Sequence, residues 1–527
     1  MVNDLLELPP QAIPATGGRI PQNVIGQRAR FLVAGLCIVF ALYTAVVPVG
    51  RAFLRLQVTY NEGWNVYNAA IIANHGTLYP TAYGWTSVNY PALSFYVIAG
   101  LGRFTHDFLF TARALSVLST VLCSLFVGLI VWRLAPKFLP AALASAYCFA
   151  FFCAVAERYV GLDDPQMFAQ VFLLAGLFVY VCYRGRLGAL IAVALLLTIG
   201  ANIKHILIEF PLAILLDLLF ISRRRALQFC LIGGALAALS VVLNIHFGGP
   251  GFLPAIFAAR EYSFAHLVDT LADVYQPMVV PSVLALGLAI VYRTHPERRI
   301  VSLLFGCSVL TAVAFGGGSG VWMNVLFGGI LAQAMLLGFF FGDFPNWVER
   351  PSWLALAAPT LVFVWLVIPL GLSGNWRPLR AMSEARAEQQ RFQEETDILT
   401  AQPGPALCES LLRCYYAHKP YVYDPFNATR MIRLGKLDAQ VMAAKIQRQE
   451  FGAIQLDRPL QRETGYPGRS RFAPDILRAI EQNYLPVAEN EDGVIYTPNL
   501  GLSASSRAQG AAALITPSDQ AQAIPKP

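Results

Sequence analysis

The sequence predicts a polytopic α-helical membrane protein of about eleven spans, with a small α/β domain at its C-terminal end. Three observations carry this reading. Only 13% of the 527 residues are charged and 56% are hydrophobic, whereas a soluble domain carries roughly 25% charged residues; the mean hydropathy is +0.52. Apolar segments near the ~20 residues needed to cross a bilayer recur along the first two thirds of the chain. From Ser373 onward the composition changes, and 18 Lys+Arg face 17 Asp+Glu, the balance of a soluble domain. The net charge of +7 arises mainly from short basic clusters between apolar segments. That is the positive-inside pattern and not a nucleic-acid surface.

Residues 1–27 are polar and contain prolines, with no apolar run near the start, so a cleavable signal is not expected. Arg28 and Arg30 precede a first span at about 31–50 and place segment 1–30 in the cytoplasm. Residues 51–109 form a first outer loop of mixed character. Within it the apolar aromatic stretch Asn89 to Tyr96 reads as a helix lying in the interface. Further spans are expected at about 110–133, 138–156, 165–183, 187–203, 206–222 and 226–246. An outer loop, 247–276, with an interfacial helix from Phe252 to Tyr275, separates these from spans at about 277–292, 300–315, 321–342 and 353–372. Under this count Arg133, Arg184, Arg223, Arg293 and Arg299 all face the cytoplasm and the C-terminal region lies outside. Merging the fifth and sixth spans would reverse every later assignment. Residues 376–400 read as a polar helix, and 403–495 alternate short apolar runs with helical patterns. The expected division is a transmembrane domain over 31–372, a soluble α/β domain over 373–500 and a disordered tail over 501–527.

Seven of the nine cysteines lie in or beside apolar segments and read as small core residues. Cys408 and Cys414 fall in the soluble region. On one helix they would stand about 9 Å apart, too far for a disulfide, so they can bridge only if the helix begins between them.

Topology restricts the chemistry. The cytoplasmic loops are too short to house a nucleotide-binding domain, and the sequence has no P-loop, no GxGxxG opening a helix, no HExxH and no CxxC pair. Polar and ionisable residues collect instead on the outer side: Glu62, Asp163, Asp164, Lys204, His205, Arg260 and Tyr262. Such residues at membrane depth are costly and mark function by default. Synthesis on that side cannot draw on cytoplasmic nucleotide-activated donors, so an activated group would arrive on a lipid, through the membrane plane.

Tyr60-Asn61-Glu62-Gly63-Trp64 followed by Asn89-Tyr90-Pro91-Ala92-Leu93 resembles the first outer loop of type-C glycosyltransferases, polytopic enzymes similar to protein O-mannosyltransferases and the aminoarabinose transferase of lipid A. Asp163-Asp164-Pro165-Gln166-Met167 resembles the family's second acidic site, and Lys204-His205 a basic position facing the lipid phosphate. Gly320-Val321-Trp322-Met323-Asn324 and segments of the C-terminal region also resemble bacterial members. The resemblance implies an inverting transfer from a polyprenyl-phosphate-linked sugar to a glycan, lipid or protein acceptor at the outer face of the membrane. The Ala-, Leu- and Gly-rich composition is compatible with a bacterial inner membrane. The resemblance departs at one position: many members carry Asp-Glu where this chain has Asn61-Glu62.

Such a transfer needs a carboxylate to deprotonate the acceptor and cations or a metal to stabilise the departing phosphate. Glu62, Asp163 and Asp164 fit the first task, and Lys204, His205, Arg158, Arg260 and Tyr262 the second. Asn61, Trp64, Asn65, Tyr90 and Asn324 are candidate substrate contacts. Glu62 and Asp164 could also share a divalent cation, Mg or Mn. Each residue has a plainer reading: Glu62 as a helix-start acid, Asp164 as an N-cap before Pro165, Lys204 as a snorkelling lysine, Asn324 as an interhelical hydrogen bond. The rival functions are a lipid-linked substrate flippase or transporter, a transferase of another group such as phosphoethanolamine, and a non-catalytic scaffold of the same fold.

Overall fold

A computed structural model describes residues 22–501 apart from 82, 259, 276–278, 348–363, 365–376 and 461–470. The expected cytoplasmic segment before residue 22, the eleventh span and the C-terminal tail therefore lie outside the described residues. Along the rest of the apolar region, each expected span coincides with a helix. These are α1 (Gln22–Arg51), then α2 (Tyr60–Ala73) and α3 (Leu93–Thr105) of the first loop, α4 (Phe108–Leu134), α5 (Phe138–Ala154), α6 (Gln166–Cys182), α7 (Leu187–Ile203), α8 (Glu209–Ile221) and α9 (Arg223–Gly248). After them come α10 (Phe252–Ile256), α11 (Phe264–Tyr275), α12 (Val279–Tyr292), α13 (Arg299–Gly316) and α14 (Phe327–Trp347). Five helices among the described residues, including α4, α9 and α13, are long and apolar enough to cross a membrane, and five shorter apolar helices accompany them.

The fifth and sixth spans are separate helices, divided by non-helical residues 204–208. Two local expectations change. The stretch Asn89–Tyr96 is only partly helical, because α3 starts after Pro91, whose ring restrains the residues before it. The interfacial helix expected from Phe252 to Tyr275 is two helices. The segment between them turns back, where Tyr262 forms a β-bridge with Gly318 and the Ser263 amide donates to the Gly317 carbonyl at 2.8 Å. Backbone hydrogen bonds to a neighbouring chain segment outweigh local helix propensity there.

The C-terminal unit opens with α15 (Pro378–Ala401) and is built on a four-stranded sheet. Its strands are β1 (Ala406–Cys408), β2 (Ala453–Leu456), β3 (Tyr484–Asn490) and β4 (Gly493–Pro498), in the spatial order β1-β2-β4-β3. β1 and β2 are parallel, as their long helical crossover requires, while β3 and β4 are antiparallel partners. Helices α16 (Leu411–Tyr416), α17 (Pro425–Arg433), α18 (Ala439–Gln447) and α19 (Pro474–Asn483) complete it. Helix α16 starts between Cys408 and Cys414, and the pair forms a disulfide with Cα atoms 5.9 Å apart.

This unit sits directly on the first loop. A Cβ on Gly63 of α2 would stand 2.2 Å from the backbone nitrogen of Leu412 in α16, so only glycine allows the two helices to approach so closely. Tyr60 clamps the same junction: its hydroxyl hydrogen-bonds Asp424 at the start of α17 and accepts from the Phe426 amide at 3.2 Å. On the other side, Gly320 has φ +74°, and a Cβ there would lie 2.4 Å from the Phe426 ring. The glycine-rich stretch is thus a seat for α17.

Candidate functional site

Helix α2 places Glu62 in its first turn, where the carboxylate reaches back to accept from the Val58 amide at 2.8 Å. The bond ties the chain just before the N-cap, Thr59, to the first turn, although Thr59 itself makes no side-chain cap bond. The same carboxylate is gripped by Arg113 of α4 in a two-pronged ion pair, Nε to Oε1 and Nη2 to Oε2, both 2.7 Å. Both side chains are fully buried, at 0% exposure. Arg113 spends its remaining donors on the carbonyls of Arg51, Leu54 and Leu56, so the turn leading into α2 is stitched to α4.

Asp163 and Asp164 lie beside this pair, in the loop before α6. The Asp163 amide donates to Glu62 Oε1 at 3.3 Å, and its carbonyl accepts from the Asn65 side chain. Its own Oδ2 is buried without a hydrogen-bond partner. Burial, then the neighbouring charges of Glu62 and Asp164, raise the Asp163 carboxyl well above the usual range, with Arg113 opposing. Asp164 instead accepts from Lys204 Nζ at 3.1 Å and from the Gln166 amide at 2.8 Å, and Lys204 lies 4.8 Å from the Tyr90 ring centroid. The Gln166 side chain donates to the Asn324 carbonyl at 3.1 Å. The fold thus gathers Glu62, Asn65, Asp163, Asp164, Lys204 and Asn324 into one buried polar layer, with the half-buried Tyr90 against Lys204.

Next to this layer is a cavity of about 1000 Å³ between the ends of the apolar helices and the C-terminal unit. Asn61, Arg158 and Gly320 line it from the helical side, and Arg430, Arg433 and Arg471 from the other. Six arginines and four carboxylates contribute to its wall. Neither Glu62 nor the two aspartates do; Leu162, the neighbour of Asp163, and Asn61, the neighbour of Glu62, take their places. The residue facing the cavity is therefore the amide of Asn61, while the acid beside it points into the protein.

The structure corrects several residue assignments. Trp64 and Asn65 are buried, at 3% and 1% exposure. Trp64 packs edge-on against Tyr90 and Phe95, so its indole belongs to the core and not to a sugar platform. Tyr262 is more than half exposed and its hydroxyl donates to the Val313 carbonyl at 2.6 Å, away from the cavity. The cation expected between Glu62 and Asp164 has no fitting donor set, since Arg113 and Lys204 occupy those carboxylates. Among the described residues no group of three or more His, Cys, Asp and Glu side chains could hold a metal ion. His205 is pushed down to about 4 by burial and by the charges of Arg260 and Lys204, so at neutral pH it offers a hydrogen bond and no charge.

Two residues escaped sequence reasoning. Arg113 had a signal, a single cation inside an apolar span. Arg430 had none, because an arginine in a balanced soluble region looks like any surface residue.

No family model and no curated protein sequence matches the chain. Solved structures do. The oligosaccharyltransferase of Archaeoglobus fulgidus in its apo form matches with a TM-score of 0.57 and 11% identity, over 89% of this chain and 74% of its own. ArnT from Cupriavidus metallidurans in the apo state gives 0.55 and 14%, over 88% and 97%. The chain has the type-C glycosyltransferase fold. ArnT bound to undecaprenyl phosphate gives 0.52 and 14% over 95% of this chain and all of its own. The type-C fold thus extends through both the helical region and the C-terminal unit.

Proposed function

We propose that this protein is a glycosyltransferase that moves a sugar from a polyprenyl-phosphate-linked donor to an acceptor held in the cavity. The observation that carries the reading is the arginine-rich cavity at the junction of the helical bundle and the C-terminal unit, next to a buried acidic layer. The fold supports it, since solved structures of the same fold hold undecaprenyl phosphate or, in the archaeal oligosaccharyltransferase, dolichol-phosphate with an inhibitory peptide. The Cys408–Cys414 disulfide favours an oxidising compartment for residues 373–500, which agrees with a periplasmic C-terminal domain and a cytoplasmic N-terminus.

Of the three nominated acids, Asp163 is the one best suited to act as general base, and because its neighbour Leu162 and not Asp163 itself lines the cavity, the acceptor hydroxyl has to reach past the cavity wall to meet it. Glu62 and Asp164 are each neutralised by a cation, whereas Asp163 has a partner-free oxygen and a raised proton affinity. In the transfer, the base takes the acceptor proton as the acceptor atom bonds to the anomeric carbon. The bond to phosphate breaks, and the phosphate leaves with the electron pair, stabilised by Arg158 and Arg260. Glu62, held by Arg113, positions the loop that carries Asp163.

The test is transfer in reconstituted membranes from a panel of radiolabelled polyprenyl-phosphate sugars, with wild type, D163N and E157Q. Glu157 is the membrane-domain carboxylate on the cavity wall, near Arg51 at 3.8 Å. Transfer that collapses in D163N alone supports the assignment, and collapse in E157Q alone moves the base to Glu157. A folded wild type that transfers no sugar from any donor sinks the glycosyltransferase reading in favour of a flippase or a scaffold.

A further inference from the structure

Arg430 stands out among the buried charges. It lies in α17 with 5% exposure and lines the cavity. Its Nε and Nη1 are buried without any hydrogen-bond partner. The nearest acid does not satisfy them: the Asp424 carboxylate is occupied by the Tyr60 hydroxyl and by the amide and side chain of Asn427, at 3.0 and 2.6 Å. Burial first, and then the charge of a second guanidinium, Arg260, lower the proton affinity of Arg430, with Asp424 opposing. Arg260 sits on the segment paired with the glycine seat; its Cδ is 3.8 Å from the Cβ position of Gly318, and the adjacent Ser319 and Gly320 line the cavity. Burying one cation with unspent donors is costly, and the repulsion of a second nearby cation adds to that cost. The helix that carries Arg430 is fixed at its start by the contacts of Tyr60 with Asp424 and the Phe426 amide and by the seat of Phe426 on Gly320.

We infer that Arg430 of the C-terminal unit and Arg260 of the helical domain together form an anion site across the cavity, and that its ligand is a phosphate group. The inference rests on the transferase reading and adds to it that the C-terminal unit is part of the binding site. Guanidinium is the group suited to phosphate, because its charge is permanent and its planar donors match the oxyanion. The phosphate belongs to the lipid carrier or to an anionic acceptor, and both share the same chemistry.

The experiment uses the full chain in detergent and three probes: undecaprenyl phosphate, neutral undecaprenol and inorganic phosphate. Binding and thermal melting are followed for wild type, R430Q, R260Q and the double variant. The expected result is that each single variant weakens undecaprenyl phosphate roughly tenfold or more, the scale of one charge-assisted hydrogen bond, and leaves undecaprenol unchanged. Without any probe, R430Q melts no lower than wild type, because an uncompensated cation has been removed. A purely structural arginine would do the reverse. Phosphate probes then raise the melting temperature of wild type more than that of R430Q. Weakening confined to inorganic phosphate assigns the site to an acceptor anion. Unchanged binding of both phosphate probes in R430Q, or a lower probe-free melting temperature with no probe-dependent difference, overturns the inference. A wild type that binds undecaprenyl phosphate through neither arginine leaves the transferase reading standing, whereas one that binds no undecaprenyl phosphate at all counts against that reading itself.

Discussion

Glu62 and Arg430 are both buried ions, 0% and 5% exposed, and their surroundings are opposite. Glu62 has a cation on both oxygens and two backbone amides besides. Arg430 has two nitrogens with nothing to donate to. The first arrangement is complete without a ligand, so it holds the fold. The second is incomplete, and the missing charge must come from outside. Burial alone does not mark a site, since both ions carry a desolvation cost; what separates them is whether the protein itself supplies the compensating charge.

The largest effect should come from breaking the complete pair. Replacing Arg113 by Met leaves Glu62 buried and alone, a loss of about 3–5 kcal/mol, and should lower the melting temperature sharply. The double variant E62Q/R113M should recover most of that loss, and equal destabilisation by the single and double variants would refute the pairing argument. For this reason loss of activity in E62Q by itself does not identify a base.

Asp163 lies between the two cases, and D163N tests it in two directions. Transfer should fall by about 10²–10⁴-fold, the usual range for a general base. Stability should move the other way. A carboxyl whose folded pKa is raised binds protons more readily when folded, so ionising it at neutral pH destabilises the fold. Wild type should therefore gain stability as the pH falls through that raised pKa toward the unfolded value, and the advantage of D163N at neutral pH should close over the same interval. A lower melting temperature for D163N at pH 7 would contradict this account.

Smaller effects probe the junction. G63A forces a Cβ against the Leu412 backbone and should cost about 1–3 kcal/mol, read as faster hydrogen exchange in α2 and α16. Removing divalent cations with a chelator should leave transfer unchanged, because Arg113 and Lys204 already neutralise the acids; collapse on chelation would restore the shared-cation scheme. The smallest change is expected for Y262F, which loses one exposed hydrogen bond to Val313 worth about 1 kcal/mol and should not alter phosphate binding.

The sequence by itself determined the helical framework and the neighbourhood of the site. Apolar length and basic clusters specify spans because a bilayer leaves a chain few other options, and helices α4 to α9 and α12 to α14 lie where that rule puts them. The motif around Glu62, the two aspartates and Lys204 was legible because ionisable residues at membrane depth are rare. Only the tertiary structure decided what those residues face. One step along α2 turns Glu62 inward to Arg113 and Asn61 outward to the cavity, a difference set by packing against α4 and α16 that no local pattern encodes. Arg430 comes from a point in the chain 368 residues beyond Glu62, as their numbers show. Its role arises from where α17 is seated, between Tyr60 and a glycine that leaves room for Phe426, and a long-range contact of that kind leaves no trace in composition or periodicity.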